Sequence, residues 1–500
     1  MDEDIYHHTE EDEKSQELTI NAITLNCWGL LFFSKHRLQR IQSIADYLAE
    51  QKYDIVFLQE VWVKSDFELI RQQTSSFYKF AYLFPTKSIL GTSGLAILSK
   101  WSPTHISFMP FTVNGSPFRP WHGDWFTGKG TAYIRVDLQD MRIHLFCTHM
   151  HAQYCDNEAI SDQYSIHRIC QSYQLGKFIN MTKDLVHDTG KSSELFILAG
   201  DLNTSPGEFP FKLLESITGL HDICHSVSNE SEDGTVKRRT DLVTCGHSEN
   251  SYTEPFPKGQ SKDDKNRHKI QTNAGKQIDF LLYKLVNRRV CDRNLETSEI
   301  KSSNQNFVTC VAEKLPCLTK DPKTGLSFSD HQPVAARFKI TRQTNQHKAQ
   351  ENGDAGYYSN SNINLKRSNF EVVDSNGFMN FSSDSEKCQS VGGTSLQKAA
   401  KLIRCYINEN ESSKHKLTYF LAFFCVAFIL ALTMANFYHG FMNSLLLVIS
   451  CTLLTVIFVF IFLVIEFVYR FEQHGICSII EEMNCSLSTS TPSSVNDLQL

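Results

Sequence analysis

The sequence predicts a layered α/β domain over residues 18–340, followed by a hairpin of two membrane-spanning helices. Three observations carry this. Short apolar runs alternate with stretches of helical periodicity through the first 340 residues, and several of the runs turn polar at their carboxyl ends. From Leu417 to Ile465 there is no Lys, Arg, Asp or Glu. One helix needs about 20 apolar residues to cross a bilayer, so this run is too long for one span and right for two, 417–436 and 444–465. Between them, residues 341–396 shift to Asn, Ser, Gln and Gly and read as a disordered linker, because they offer too little apolar surface to bury.

Taken in order, residues 1–17 are acidic and polar and are expected to be disordered. Leu18–Leu25 reads as a strand ending at Asn26-Cys27-Trp28-Gly29. Ser34 is placed to cap a helix carrying Leu38, Ile41, Ile44, Ala45 and Leu48 at helical spacing. Asp54–Gln59 is an apolar strand that delivers Glu60, a short helix follows near Asp66–Gln73, and Gly94–Ser99 is a third strand. Phe111–Gly130 is irregular and aromatic, with Trp121, Trp125 and Phe126 beside Asp124 and Lys129. Thr131–Leu138 and Arg142–Cys147 read as paired strands, the second leading into His149 and His151, and Glu158–His187 as a long helix. Leu195–Ala199 is an apolar run bounded by Gly200, the pattern of a strand buried on both faces. Alternation along that strand would put Asp201 and Asn203 on one side. Residues 229–276 are charged and read as a surface insertion. Gln277–Leu285, with Asp279, is strand-like, as are Phe307–Glu313 and Val334–Ile340, the last preceded by Asp330-His331.

The net charge of −6 argues against a protein that holds nucleic acid by bulk electrostatics. Fifteen cysteines without a C-x-x-C pair, and no N-terminal leader, point to reduced thiols facing the cytosol. Lys398, Lys401, Arg404, Lys414 and Lys416 precede the apolar hairpin and Arg470 follows it, while its turn at 437–443 carries no Lys or Arg. The positive-inside tendency then places both ends, the segment 397–416 and the tail 466–500, on the cytosolic side. Leu396–Ile407 has a basic amphipathic pattern suited to a membrane surface.

Asn26, Glu60, His149, Asp201 with Asn203, Asp279, and Asp330 with His331 each follow or interrupt an apolar run, which makes them candidates to converge. Hard oxygen donors without a cysteine pair suit Mg²⁺, whereas His149, His151 and Cys155 leave a zinc reading open. Asp124 and Lys129, taken by themselves, read as solvated loop charges.

Leu58-Gln59-Glu60-Val61-Trp62, Thr148-His149-Met150-His151, Gly200-Asp201-Leu202-Asn203, Ile278-Asp279 and Ser329-Asp330-His331 occur in an order that resembles the endonuclease/exonuclease/phosphatase superfamily. The Trp28-Gly29 turn, Gly123–Lys129 and the terminal apolar pair are similar to the Mg²⁺-dependent neutral sphingomyelinases within it. The resemblance implies a four-layered α/β sandwich of the DNase I-like kind, two mixed sheets flanked by helices. It implies phospholipase C-type hydrolysis of sphingomyelin to ceramide and phosphocholine, extending to lyso-phosphocholine lipids, at the cytosolic face of the endoplasmic reticulum or another intracellular membrane. Glu60 and Asn26 would ligate Mg²⁺, with Mn²⁺ as a substitute. Asp201 and Asn203 would orient phosphate or water, and His331 would be the base, held by Asp279 with Asp330 nearby. His149 would donate to a phosphate oxygen, with His151 in support. Asp124 and Lys129 match a switch pair. The implied partners are sphingomyelin and the bilayer, with an anionic phospholipid as activator and no nucleic acid. The alternatives are an abasic-site endonuclease of the same superfamily and a catalytically inactive membrane scaffold.

Overall fold

The computed structural model describes residues 17–88, 90–115, 122–138, 141–154, 162, 164–184, 193–224, 242–253, 275–287, 306–344, 381–438 and 441–490. In chain order the strands are β1 (Glu17–Asn26), β2 (Ile55–Gln59), β3 (Phe80–Pro85), β4 (Thr92–Ser99), β5 (His105–Pro110), β6 (Gly130–Leu138), β7 (Met141–His149), β8 (Ser193–Asp201), β9 (His221–Asp222), β10 (Asp279–Asn287), β11 (Asn306–Leu315) and β12 (Val334–Thr344). The helices are α1 (Arg37–Gln51), α2 (Lys64–Thr74), α3 (Asp124–Thr127), α4 (Ser165–Asp184), α5 (Phe209–Thr218), α6 (Phe381–Tyr438) and α7 (Phe441–Ser490).

The strands form two six-stranded mixed sheets, ordered β11-β12-β1-β2-β4-β3 and β5-β6-β7-β8-β10-β9. In each, one parallel pair (β1 with β2, β7 with β8) is flanked by antiparallel neighbours. The inner faces meet in a core of Ile20, Ala22, Phe57, Ile97, Leu145, Ile197, Leu281 and Phe338, among others. The outer face of the first sheet is covered by Ile41, Ile44 and Leu48 of α1 and Phe67 and Ile70 of α2. That of the second is covered by Leu175 and Ile179 of α4 and Phe211 and Leu214 of α5. This is the expected four-layered sandwich, and it explains why the central strands are apolar on both faces.

Strand parity positions the site. In β8, Leu195, Ile197 and Ala199 point between the sheets, and Asp201 continues that series at the carboxyl end. His149 does the same after Leu145 and Cys147 of β7, and Asn26 after Ile20 and Ala22 of β1. β10 runs antiparallel to β8 with Asp279 opposite Asp201, so its first residue reaches the same edge. The start of β12, just beyond Asp330-His331, lies beside the end of β1, with Val334 opposite Thr24.

Several expectations need correction. Ser34 does not cap α1: His36 occupies the cap position in a left-handed conformation and no side chain caps the helix. Leu38 is exposed. β8 ends at Asp201, so Asn203 owes its position not to strand alternation but to a turn in which its N–H donates to Asp201 Oδ1 at 2.9 Å. Part of the supposed surface insertion is packed structure: Thr244 and Asn250 are buried and hydrogen-bonded to Asp279 and Ser329. β3, β5, β9 and α5 carry no sequence expectation. Residues 1–16, 225–241, 254–274, 345–380 and 491–500, with Trp121 and Cys155, lie outside the described residues, and so do most of the linker and the ends of the chain.

The C-terminal region departs furthest. The last part of the linker, from Phe381, is helical, and α7 continues through Ser490 into the expected tail. The segment expected on a membrane surface packs instead on the domain. Leu396, Ala399, Ala400 and Ile403 of α6, with Ile476, Ile479 and Met483 of α7, bury against Val113, Ile169, Cys170, Tyr173 and Leu213. His167 Nε2 lies 3.1 Å from Glu472 Oε1, to which the Tyr406 hydroxyl also donates at 3.1 Å. Because α4 is covered on both sides, it shows no clean polar face. Among the described residues no helix is long and apolar enough to cross a membrane; α6 and α7 meet between Tyr438 and Phe441, where the sequence predicts the turn of the pair.

Candidate active site

The centre of the site is a hydrogen bond from His331 Nδ1 to Asp279 Oδ2 at 2.8 Å, both residues buried. Burial works against a charged ring, but the Asp279 carboxylate and the Cys245 thiol outweigh it and hold His331 well above its ordinary range. Asp201 Oδ2 is 4.0 Å from His331 Nδ1, and oxygens of Asp201 and Asp279 and a His331 nitrogen lie within 4.8 Å of one another. Burial, then the neighbouring Asp279 charge, push the Asp201 carboxyl up to about 7, against the pull of His331 and Lys129.

Glu60 enters from the other sheet. One residue past β2, its parity alone would turn it away from the inner face. A left-handed backbone (φ 57°) re-aims it, and Asn26 Nδ2 donates to Glu60 Oε1 and Asp201 Oδ2, both at 3.0 Å. Trp28 (φ 46°) and Asn203 (φ 48°) are also left-handed, so non-glycine strain, about 1–3 kcal/mol at each such residue, gathers at this rim. Burial and the nearby Asp330 raise the Glu60 carboxyl above its usual range. Gly200 (φ 141°) permits the closest approach of all: a Cβ there would sit 2.0 Å from the Thr148 carbonyl oxygen.

On the far side, Lys129 Nζ donates to His149 Nε2 at 3.0 Å and to the Met150 carbonyl at 2.9 Å, and it pairs with Asp124. All three charged or ionisable residues are buried, so Asp124 and Lys129 are not solvated loop charges. Burial and the Lys129 ammonium keep His149 neutral, well below the ordinary histidine range. Asp124 is held low because Lys129, His151 and the Tyr154 hydroxyl overcome the cost of burial. Asp124 lies in the one-turn helix α3, set between left-handed glycines at 123 (φ 77°) and 128 (φ 60°). His151 is stacked on Tyr164 and driven down to about 3 by burial.

The hydrogen bonds link Asn26, Glu60 and Asp201, His331 and Asp279, and Lys129, His149 and Asp124 along one rim, and they specify how each side chain is held. Asn26 Nδ2 donates to two carboxylates and its Oδ1 accepts from Trp28 N–H at 2.9 Å, so Asn26 spaces the acids. Asn203 Nδ2 is spent on the Met150 carbonyl at 2.9 Å. His149 Nε2 accepts from Lys129, leaving Nδ1, a buried nitrogen without a hydrogen-bond partner, as its proton-bearing side. Asp330 is only half-buried and accepts from Ser329 Oγ at 3.1 Å.

Sequence reasoning missed the supports. Thr244 Oγ1 accepts from the N–H groups of Ile278 and Asp279, Cys245 bridges to His331, and Asn250 donates to the Ser329 carbonyl. Nothing in the polar stretch around them distinguishes these residues before folding. Gln59, next to Glu60, ties Thr24 to Cys147 across the two sheets.

The donor set fits a hard divalent cation. Glu60 Oε2 and Asp279 Oδ1 are buried without a hydrogen-bond partner, an expense that a cation would offset. The histidines and cysteines do not form a zinc-type cluster among the described residues, where the one candidate metal group is Asp201, Asp279 and His331.

The model of the endonuclease/exonuclease/phosphatase family matches residues 23–331, which span all of these groups. The chain belongs to that family. Among its relatives, human sphingomyelin phosphodiesterase 2 is 31% identical over 323 residues, 65% of each chain. A putative neutral sphingomyelinase of Drosophila melanogaster is 33% identical over 323 residues, 65% of this chain and 61% of that one. An inositol phosphosphingolipids phospholipase C of Schizosaccharomyces pombe is 29% identical over 341 residues, 66% and 70% respectively. The chain spans about 65% of the length of the first of these curated relatives.

Proposed function

We propose that the protein is a divalent-cation-dependent phosphodiesterase that hydrolyses a phosphosphingolipid, releasing phosphocholine and leaving ceramide when sphingomyelin is the substrate. The observation that carries the chemistry is the buried Asp279–His331 pair facing Asp201, with carboxylate oxygens of Glu60 and Asp279 unspent. The lipid class rests on relatives named for sphingomyelin and inositol phosphosphingolipids.

Glu60, Asp201 and Asp279 would hold the cation, Mg²⁺ by their chemistry with Mn²⁺ able to replace it. When bound it supplies positive charge to the phosphate's non-bridging oxygens and leaving oxygen, and it favours the neutral form of the adjacent imidazole. Asp279 fixes the His331 tautomer, so that Nε2 is the nitrogen that takes the proton of the attacking water. Asn26 keeps Glu60 and Asp201 at a set separation, and Asn203 locks the turn beneath them. Lys129 holds a buried ammonium whose donors go to Asp124, His149 and Met150, and its pairing with Asp124 between two glycine pivots makes α3 the element that could act as a switch, freeing that ammonium for the phosphate.

The membrane reading is part of this proposal. Phe420, Phe423, Ile429, Leu430, Met434, Leu453, Phe460 and Leu463 of α6 and α7 are exposed, on stretches without a formal charge. Two spans at 417–436 and 444–465 would cover them. Both ends would then be cytosolic, in the endoplasmic reticulum or another intracellular membrane, with an anionic phospholipid as activator.

The test is phosphocholine release from sphingomyelin in mixed micelles. Mg²⁺ should support it, EDTA should stop it, and His331→Ala or Glu60→Ala should remove it. A folded protein that releases nothing from sphingomyelin or lyso-phosphocholine lipids would sink the reading. An inositol phosphosphingolipid in the same panel identifies the headgroup. The abasic-site endonuclease reading uses the same site, but the net charge of −6 weighs against it; cleavage of abasic DNA without lipid turnover would reverse that choice.

A further inference from the structure

Directly after Asn26, the chain leaves β1, makes an arch through Leu30-Leu31-Phe32-Phe33 and enters α1 at Arg37. Leu31 is 51% exposed, Phe32 87% and Phe33 78%. Three consecutive large apolar residues at such exposure are not the scattered single hydrophobes of an ordinary soluble surface.

The arch is held in place. Arg40, itself buried, donates to the carbonyls of Cys27 (2.7 Å) and Trp28 (2.7 Å) at one foot and Lys35 (2.9 Å) at the other, and to Phe328 (3.1 Å) beside Asp330-His331. Its guanidinium lies over the Trp28 ring, 4.8 Å from the centroid, and Trp28 packs against Tyr252. Ser34 N–H closes the turn onto the Leu30 carbonyl at 3.2 Å. A buried, multiply hydrogen-bonded arginine is a costly way to support a loop whose apolar tip stands in solvent.

We propose that Leu31, Phe32 and Phe33 form a fixed wedge that enters the lipid interface at the mouth of the site. This rests on the phosphosphingolipid reading above and names the segment that meets the substrate's bilayer. Two further observations favour a lipid surface over a protein. Exposed Lys35 follows the apolar tip two residues after Phe33, placing an ammonium at the level of phosphate headgroups while the aromatic rings reach acyl chains; Arg37 behind it is held by Asp66 and fixes the foot of the arch. Trp125, next to Asp124 of the Asp124–Lys129–His149 group, is a further exposed aromatic close to the site.

The test uses the full chain with phosphatidylcholine–phosphatidylserine vesicles whose acyl chains carry bromine. Phe32→Trp should show quenching beyond that of the five native tryptophans in the wild-type protein. In the same vesicles doped with sphingomyelin, Phe32→Asp/Phe33→Asp should lose turnover by roughly tenfold or more. Its activity on a water-soluble chromogenic phosphocholine ester should stay at the wild-type level. No added quenching, or an equal loss on both substrates, overturns the wedge. So does an indole in the Phe32→Trp variant that is already shielded from aqueous acrylamide without lipid, because that outcome assigns the arch to protein contact with a second copy. Quenching needs no catalysis, so quenching without hydrolysis of any lipid would defeat the enzymatic reading and leave the wedge standing.

Discussion

Two histidines sit on the same rim, at strand ends of the same sandwich, and the protein drives them to opposite states. His331 and His149 are both buried, and burial alone disfavours the charged ring at each. What separates them is the balance of charges around each ring: Asp279 and Cys245 at His331, and at His149 the Lys129 ammonium set against Asp124, with Asp201 Oδ2 3.5 Å away. His331 faces the Asp279 carboxylate and keeps a proton; His149 faces the Lys129 ammonium and loses it. The site thus has a side that exchanges protons and a side where a buried ammonium, paired with Asp124, is held in reserve. A phosphodiester needs both: one to activate water and one to receive an anion.

The sharpest break in this contrast is His331→Ala, expected to lower kcat by about 10²–10⁴ with Mg²⁺ saturating. Single-turnover phosphocholine release measures it. Asp279→Asn should fall in the same range and also move the pH profile, because it removes the group that fixes the tautomer.

Lys129→Met attacks the other side. It leaves Asp124 buried and unpaired, an expected cost of about 3–5 kcal/mol, read by denaturant unfolding. The double variant Asp124→Asn/Lys129→Met should cost less than the sum of the singles. In Lys129→Met the His149 ring should bind its proton more readily, a change that NMR titration of the ring would register; an unmoved titration would mean that burial alone sets its state.

Asp201 gives a pH signature. Its folded-state carboxyl titrates at about 7, above its ordinary value of 3.8. Between those values the folded metal-free protein binds more protons than the unfolded chain, so stability should fall as pH rises from about 4 to 7. A cation must displace that proton, so Mg²⁺ affinity should rise over the same interval. Calorimetric Mg²⁺ affinity that is flat between these pH values would contradict it. The smallest effect expected is Tyr154→Phe, which removes one hydrogen bond to Asp124 and should cost about 1 kcal/mol in thermal unfolding.

Much of this is legible in the residues. Apolar strands with polar ends announce Asn26, His149, Asp201 and Asp279, and strand parity is a short-range property that survives into the fold. Glu60 is found by its position at a strand end, but its left-handed backbone, which turns it inward, is set by contacts from other elements. Thr244, Cys245 and Asn250 are unreadable because they act through tertiary contacts from a polar stretch with no periodicity of its own. α4 misleads for the opposite reason: burial on both flanks erases the amphipathic signal that marks a surface helix. The basic pattern at Leu396–Ile407 is one-sided as expected, yet its apolar side meets the domain.

That meeting has a mechanical consequence. A catalytic domain on a leash would sample every height and tilt its tether allows. Here Ile403 and Ile476 are bolted into the domain through α4 and α5, and α6 runs on without a break in its assigned helix to the apolar stretch at Leu417. At 1.5 Å per residue that interval is a rod of about 21 Å. Under the proposed membrane reading the C-terminal pair acts as a ruler, and adding or removing a turn of helix there would change the standoff of the site by about 5.4 Å while leaving its chemistry intact.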